Sequence, residues 1–548
     1  MRLLTRVAWR VIMQIGYGKI RHSTSGNAIG NSQPANPTVR QMTDVEPTPP
    51  PQTRVAAGAA WVVGWRFSTR LLGFLSTFIL VRPLAPADFG LIMLATTFTD
   101  GVDALSALGI QDAIVREKAP SRSLYDTAFT MNAIRSLTTA SLIAAGAWPA
   151  AAFFAEPRVA DVLLALALLT AAGAAENIRV VDFRRNLVFH QEFKLFLLPR
   201  VISIIACIAV AAVSHSYWAL IVGLTTSRLL QLVLGYVMRP YKPSLCLREW
   251  RQIIGFSTWT WLSSLVVLVR DRSDNIVIGR VLGTAQVGIY SIASELAALP
   301  TTELIAPICR VLFPSFTVAR HANGDMAAIY LRTIAVTLLI TMPAGVGISM
   351  VAGPLIALIF GPNWTPAVPV LSLLAIAGTL KVISLISGTL FAALGLLSAN
   401  FRIILVTAVV RLFLLVILVP LLGLIGGAQA ILVSVIVEEI LFLVMAARQL
   451  GFPTSELPRR TWRTLVATLT MAAVLWFSGF AWVNAPENPL RTLASAVTLG
   501  VAVYATVIAV TWQLAGRPVG AELETIRAAG GAARRLLMRL RRPAPTGA

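Results

Sequence analysis

The chain has 548 residues, 56% of them hydrophobic and only 13% charged, with a mean hydropathy of +0.75. A soluble domain carries about 25% charged residues, so an ordinary water-soluble fold is excluded. Lys+Arg 46 against Asp+Glu 25 leaves +21, and because this excess sits in loops and tails beside apolar runs, it fits the anionic lipid of an inner leaflet rather than nucleic acid.

Residues 1–53 are polar and rich in Ser, Asn, Pro and Thr, and read as a disordered cytoplasmic tail. Leu3 to Ile20 is interrupted by Arg6 and Arg10 and lacks a signal-peptide core; Met1 and Met42 are both candidate starts. A membrane-crossing helix needs roughly 20 apolar residues. The pattern predicts about fourteen, centred near Leu71, Thr96, Leu137, Leu168, Ile205, Leu224, Val266, Leu296, Thr337, Ala375, Val409, Val433, Ala472 and Ala502. The fold class is therefore all-α and polytopic. The gaps around Arg116/Lys118/Arg122, Arg184/Arg185/Lys194, Arg239/Lys242/Arg248/Arg251, Arg310/Arg320/Arg332, Arg402 and Arg448/Arg459/Arg460/Arg463 are cationic. The intervening gaps near Ser214–Tyr217, Gly353–Pro366 and Leu421–Gly427 carry no charge. Short Lys/Arg-rich loops stay in the cytoplasm, which places both termini inside.

Between spans four and five, Ile178 to Lys194 reads as an interfacial helix on the inner leaflet. Arg534, Arg535, Arg539, Arg541 and Arg542 interleave with Leu536, Leu537 and Leu540 on one helical face, predicting a basic amphipathic tail on lipid. Cys207, Cys246 and Cys309 show no metal spacing and are expected as free thiols; the four histidines form no ligand pair. No metal and no cofactor is expected.

Arg82-Pro-Leu84 followed by Gly90-Leu91, and Arg280-Val-Leu282 followed by Gly288-Ile289, share the form Arg-x-Leu-x5-Gly-apolar at a separation of 198 residues. The match pairs span one with seven and two with eight. Six spans per half is an even number, so the halves are parallel repeats with a cleft between them. The expected organisation is an N-lobe over 54–238, a cytoplasmic linker over 239–252, a C-lobe over 253–450, two additional spans over 451–515 and a tail over 516–548.

Charges inside spans are costly and mark wet interiors or ion pairs, at about 2.5–3.5 kcal/mol for each one at the bilayer centre. Span one carries Arg66 and Arg70 on one face, span two Asp100 and Asp103, span three Arg135, span six Arg228 and span seven Arg270-Asp-Arg-Ser-Asp274. Spans eight, ten, eleven and twelve carry Glu295, Lys381, Arg411, Glu438 and Glu439. Arg270 and Asp274 are spaced to pair along their helix. Arg200 and Arg411 are expected to snorkel to an interface. Glu438 and Glu439, about 100° apart, must face different ways. Arg66, Arg70, Arg270 and Arg272 are the candidate cavity arginines, suited to an anionic substrate whose phosphate oxygens match the guanidinium fork. Asp100, Asp103, Asp274 and Glu295 are candidates for ion coupling or structural pairing. Trp65, Trp259 and Trp261 are candidate apolar walls; Trp61 and Trp364 are expected in the interfacial aromatic belt.

Several segments resemble the polysaccharide flippase (Wzx-type, polysaccharide transporter) branch of the MOP superfamily. They are Val81-Arg-Pro-Leu-Ala-Pro-Ala-Asp-Phe-Gly90, Arg270-Asp-Arg-Ser-Asp-Asn-Ile-Val-Ile-Gly-Arg-Val-Leu-Gly283, Val287-Gly-Ile-Tyr290, Leu312-Phe-Pro314 and Leu358-Ile-Phe-Gly-Pro-Asn-Trp364, in order between Ala57 and Gly451. The resemblance implies two six-helix lobes in a MATE-like V plus two extra helices. It also implies movement of an undecaprenyl-diphosphate-linked oligosaccharide across a bacterial inner membrane for O-antigen, capsule or exopolysaccharide synthesis. Polymerase and chain-length proteins of the same pathway are the partners it implies. Three rivals stand beside it. A MATE-like cation/drug antiporter predicts carboxylates in the lobe interior, whereas span one is doubly cationic. A membrane glycosyltransferase or polymerase needs a sizeable outer loop, and no outer gap exceeds roughly 20 residues. A scaffold has no use for intramembrane arginines. No Gly-rich phosphate loop is present, so no ATP hydrolysis is expected.

Overall fold

The computed structural model describes residues 76–522, apart from 107–109, 118–119, 187, 254–257, 323, 484–485 and 518–521, together with Ser68, Leu72 and Gly73. Arg66, Arg70, Trp61, Trp65, the first 53 residues and the arginine–leucine tail lie outside the described residues. So do the side chains of Trp259 and Trp261.

The long helices are α1 (Pro86–Leu105), α2 (Arg122–Phe154), α3 (Arg158–Ala172), α4 (Phe189–Ser214), α5 (Trp218–Met238), α6 (Thr258–Leu282), α7 (Thr284–His321), α8 (Met326–Met350), α9 (Ala367–Leu380), α10 (Val382–Leu394), α11 (Leu397–Leu450), α12 (Glu456–Phe477) and α13 (Pro489–Leu514). Every sequence-predicted centre from Thr96 onward falls inside one of them. Among the described residues, eight helical stretches are long and apolar enough to cross a membrane on length and composition alone. Their flanks expose large apolar side chains, such as Val213 at 86%, Val237 at 69% and Leu514 at 83%. Only lipid tolerates so much exposed hydrocarbon beside a fully hydrogen-bonded backbone, so the chain is a multi-pass membrane protein.

Two helices break where the sequence allows it. α11 carries Pro420 and a non-helical Gly423 (φ 63°, ψ −141°). A Cβ on Gly426 would sit 2.0 Å from the Leu418 carbonyl oxygen, so the chain folds back there, and α11 is two antiparallel spans, α11a before Gly423 and α11b after it. α9 and α10 are one span interrupted at Lys381. At 38 residues α7 is about 57 Å long at 1.5 Å per residue, far more than a bilayer core of about 30 Å.

The stretch expected as an interfacial helix is instead a clasp of two short pieces, Ile178–Val180 and Val181–Arg185, folded into the basic end of the first half. Asp182, 2% exposed, accepts from Tyr125 Oη and from Arg239 Nη2 at 3.1 Å, and the Asn177 amide donates to the Gly235 and Arg239 carbonyls at 2.9 and 2.7 Å. A buried carboxylate needs such partners, and they tie the segment to α2 and to the end of α5.

The same end pins the inter-lobe linker. Asp126 accepts from Tyr241 Oη, Ser244 N (3.3 Å) and Ser244 Oγ (2.6 Å); Thr130 Oγ1 accepts from Cys246 N at 2.9 Å, and Ser121 Oγ donates to Glu249 at 2.8 Å. Burial, and then the hydrogen bond to Asp126, pushes the Tyr241 phenol well above its ordinary value. Residues 239–249 therefore belong mechanically to the first half.

α12 and α13 pack on each other and on α8. Trp482 anchors their connection, its backbone N–H donating to Met350 O at 3.0 Å and its indole N–H to Ser349 O at 3.1 Å. Tyr504 Oη donates to Leu339 O at 2.7 Å. The pair lies outside the repeat, as the sequence implies. Cys207, Cys246 and Cys309 are free thiols.

A candidate substrate cleft between the two halves

Among the described residues α1 makes most of the contact between the halves, and the end of α2 adds to it, with Phe153 under the Arg280 guanidinium and Phe154 against Gly279. At the N-terminal end of α1, Phe89 packs edge-on against Trp364 with ring centroids 5.6 Å apart. Trp364 is 1% exposed; it is an inter-half plug, not the aromatic-belt residue expected from its hydrophobic surroundings.

At the next residue, the two repeat glycines meet. A Cβ on Gly90 would lie 1.8 Å from the Thr284 carbonyl oxygen, and a Cβ on Gly288 would lie 1.9 Å from the Pro86 carbonyl oxygen. Residues 86 and 284, like 90 and 288, are separated by the repeat offset of 198. The contact is reciprocal, as a two-fold axis between parallel repeats requires. Glycine is needed because backbone rests on backbone.

The contact then descends α1. Leu94 Cδ2 would be 2.5 Å from a Cβ on Gly279, the Asn275 amide donates to Thr97 Oγ1 at 3.1 Å, and Arg272 Nη2 donates to Asp100. There it stops. Asp103, one turn beyond, pairs with Arg135 of its own half at 3.1 Å. From Gly90 to Asp100 the seam runs about 15 Å.

The buried cores follow the same division. One apolar cluster joins Leu91, Leu94 and Ile143 of the first half to Ile278, Val287, Tyr290 and Trp364 of the second. At the opposite end the clusters are separate: Ile114, Leu124, Tyr125 and Ile178 of the first half, with Ile253 from the end of the linker, form one, and Ile305, Phe316, Tyr330 and Phe442 of the second form another. The halves are sealed at the Gly90 end and parted at the basic end.

At the apex of the opening, Arg272 and Asp100 are 35% and 43% exposed, and Arg135 and Asp103 are 24% and 53% exposed. Charges this exposed at membrane depth require water, so they line a wet cleft. Two of its cations, Arg272 and Arg135, come from opposite halves.

The other sequence candidates separate from this group. Arg270 is turned into the second half, donating through Nη1 to Glu438 at 2.7 Å and through Nε to Asp271 at 2.9 Å. Asp274 pairs not with Arg270 but with Arg411 at 3.2 Å, and accepts from Tyr290 Oη at 3.0 Å. Arg411 is 5% exposed and does not snorkel; two acids of α6, Asp271 (3.7 Å) and Asp274, hold it inside. Glu439 faces away from Glu438, as helix geometry demands, and accepts from Ser384 N at 2.6 Å at the start of α10. Glu295 is exposed on α7 and forms no ion pair among the described residues. Arg228 pairs with Glu176 at 3.1 Å within the first half. Sequence reasoning found the repeat glycines but not their mutual contact, and found Asp100 and Arg272 but not that they face each other. The residues are 172 positions apart and no local periodicity links them.

Comparisons with known proteins agree with this architecture. A family profile described as polysaccharide biosynthesis protein matches residues 79–369, more than half of the chain. The succinoglycan biosynthesis transport protein ExoT of Rhizobium meliloti (strain 1021) is 25% identical over 325 residues, 59% of this chain and 66% of that one. The lipopolysaccharide biosynthesis protein WzxC of Escherichia coli (strain K12) is 25% identical over 362 residues, 64% and 72% of the two chains. The chain thus spans about two thirds of the length of these relatives. Among solved structures, the lipid II flippase MurJ in an inward closed conformation superposes with TM-score 0.65 at 15% identity, covering 82% of this chain and 98% of that one. An inward-facing MATE multidrug transporter of the MOP superfamily gives 0.55 at 17% identity, covering 70% and 95%. With the fold of those transporters and a profile match over most of both halves, the chain belongs to the polysaccharide biosynthesis protein family.

Proposed function

We propose that this chain is a flippase that moves an undecaprenyl-diphosphate-linked oligosaccharide from the inner to the outer leaflet of a bacterial inner membrane by alternating access. The observation that carries the reading is a half-exposed arginine, Arg272, at the apex of a cleft that is sealed at one end. The basic end faces the cytoplasm by the positive-inside rule, so the cleft opens toward the leaflet where the lipid-linked glycan is made. The N-lobe (54–238) and C-lobe (253–450) rock about the seam. Arg272, with Arg135 across the cleft, holds the diphosphate through charge-assisted hydrogen bonds. The glycan sits in water, and the prenyl chain stays in lipid between helices.

An inside-negative potential favours outward movement of the anionic headgroup by about 2.3 kcal/mol per charge per 100 mV. The basic tails hold the cytoplasmic face against anionic lipid. Polymerase and chain-length proteins consume the product. The fold is shared with cation/drug antiporters, but the C-lobe carboxylates Asp271, Asp274 and Glu438 are each already paired with Arg270 or Arg411, which leaves them less well placed to capture a cationic drug.

The test is a deletion strain analysed for lipid-linked repeat units. Their accumulation on the cytoplasmic side, reversed by the wild-type gene, is expected; normal glycan export in the deletion strain overturns the proposal.

A further inference from the structure

We propose that Asp100 is a resident counter-ion for the substrate-binding Arg272, and that exchange of its carboxylate for the substrate's diphosphate is what unlatches the two halves. This rests on the diphosphate-lipid reading above and goes beyond it, because it assigns the signal that permits opening.

Three observations place the exchange at this pair. First, Arg272 and Asp100 tie α6 of one half to α1 of the other; the pairs Arg135–Asp103, Arg228–Glu176, Arg270–Glu438 and Arg411–Asp274 each stay within one half. Second, it is the last rung of the seam, next to the open cleft, so a headgroup entering from the basic end reaches it before Thr97–Asn275 or the glycine crossing. Third, both side chains are more than a third exposed, whereas Arg270–Glu438 (13% and 10%) and Arg411–Asp274 (6% and 10%) are closed to any ligand.

The chemistry favours replacement. A diphosphate offers more charge than one carboxylate and oxygen pairs that fit the guanidinium fork. Once it holds Arg272, Asp100 is left facing both the ligand's negative charge and Asp103 one turn away on the same helix face. Like charges at that range repel, and the part between the Arg272-bound diphosphate and Asp100 acts across the seam, on α6 against α1. When the headgroup leaves on the far side, Arg272 recovers Asp100 and the seam closes. An empty transporter therefore stays latched.

The experiment uses the full chain in lipid vesicles, with Cys207, Cys246 and Cys309 replaced by Ser and a reporter Thr97→Cys in the seam. A membrane-impermeant maleimide is applied from the side of the sealed end, and farnesyl diphosphate is the probe, with farnesol as its uncharged control. The reporter is expected to be protected alone and with farnesol, and to label several-fold faster with farnesyl diphosphate. Asp100→Asn is expected to label fast without ligand, while farnesyl diphosphate still raises its melting temperature. Glu176→Gln, which removes an ion pair of similar exposure inside one half, is expected to stay protected. If Asp100→Asn fails to reach the membrane, Arg272→Gln serves: it should label fast and lose its response to the probe. A melting shift in the parent chain with the reporter still protected overturns the exchange and leaves the diphosphate reading standing. No melting shift at all overturns that reading, and the exchange falls with it. An Asp100→Asn reporter as protected as the parent's also overturns the exchange.

Discussion

The two ends of the seam between the halves are built on opposite principles. At the Gly90 end, backbone meets backbone, side chains from both halves share one core, and Trp364 fills the remaining space. At the basic end, each half has a separate core, and the groups at the boundary are paired charges with exposed faces. Close packing is intolerant of volume and is either made or broken. Exposed ion pairs are weak and exchangeable. The difference teaches that the closed end acts as a shape-dependent seal, and the open end as an electrostatic surface for a ligand.

The largest effect is expected from disturbing the seal. Gly90→Val or Gly288→Val places carbon where a carbonyl oxygen already lies. Backbone cannot rotate aside as a side chain can, so the added carbon holds the seam apart. Glycan export should fall to background with each variant while the protein still reaches the membrane; near-normal export in a Gly90→Val, Gly288→Val double variant breaks the comparison.

Next comes the buried network of the second half. Arg411→Ala leaves Asp274 without its counter-ion in a dry interior, and stranding a buried charge in this way costs about 3–5 kcal/mol. Thermal unfolding in detergent should show a large loss of stability, shared by Arg270→Ala, which strands Glu438.

Arg272→Ala sharpens the contrast between α6 neighbours. Charged hydrogen bonds contribute about 1.5–3 kcal/mol, so export should fall roughly ten- to hundredfold with protein level and melting temperature close to normal. Equal behaviour of the Arg270 and Arg272 variants would remove the distinction between structural and cleft arginine. The smallest effect belongs to the linker clasp: Tyr241→Phe loses one hydrogen bond to Asp126, worth about 1 kcal/mol, and should lower the melting temperature slightly with export intact.

Much of this was legible before any coordinates. The span positions follow from hydropathy, and the free cysteines from the absence of metal spacing. That Glu438 and Glu439 face different ways follows from the helical angle of about 100° per residue. The Arg-x-Leu-x5-Gly repeat pointed to the pairing of halves. Site assignment was less complete. Arg270 and Arg272 look alike in sequence, but two residues on a helix are about 200° apart, so one enters the lobe and the other the cleft. Which one does so depends on Glu438 arriving from another span. The expectation that Arg411 snorkels to an interface fails because Asp271 and Asp274, which hold it inside, come from α6.

By itself the sequence determined that this chain lives in a bilayer, which end of each span is basic, and that two similar halves are joined by a basic linker. These properties depend on local composition and on transfer of single helices into lipid. Only the tertiary structure decided which glycines touch, which charges cancel and where the halves part. Those outcomes depend on partners more than a hundred residues away, brought together by packing whose specificity lies in shape.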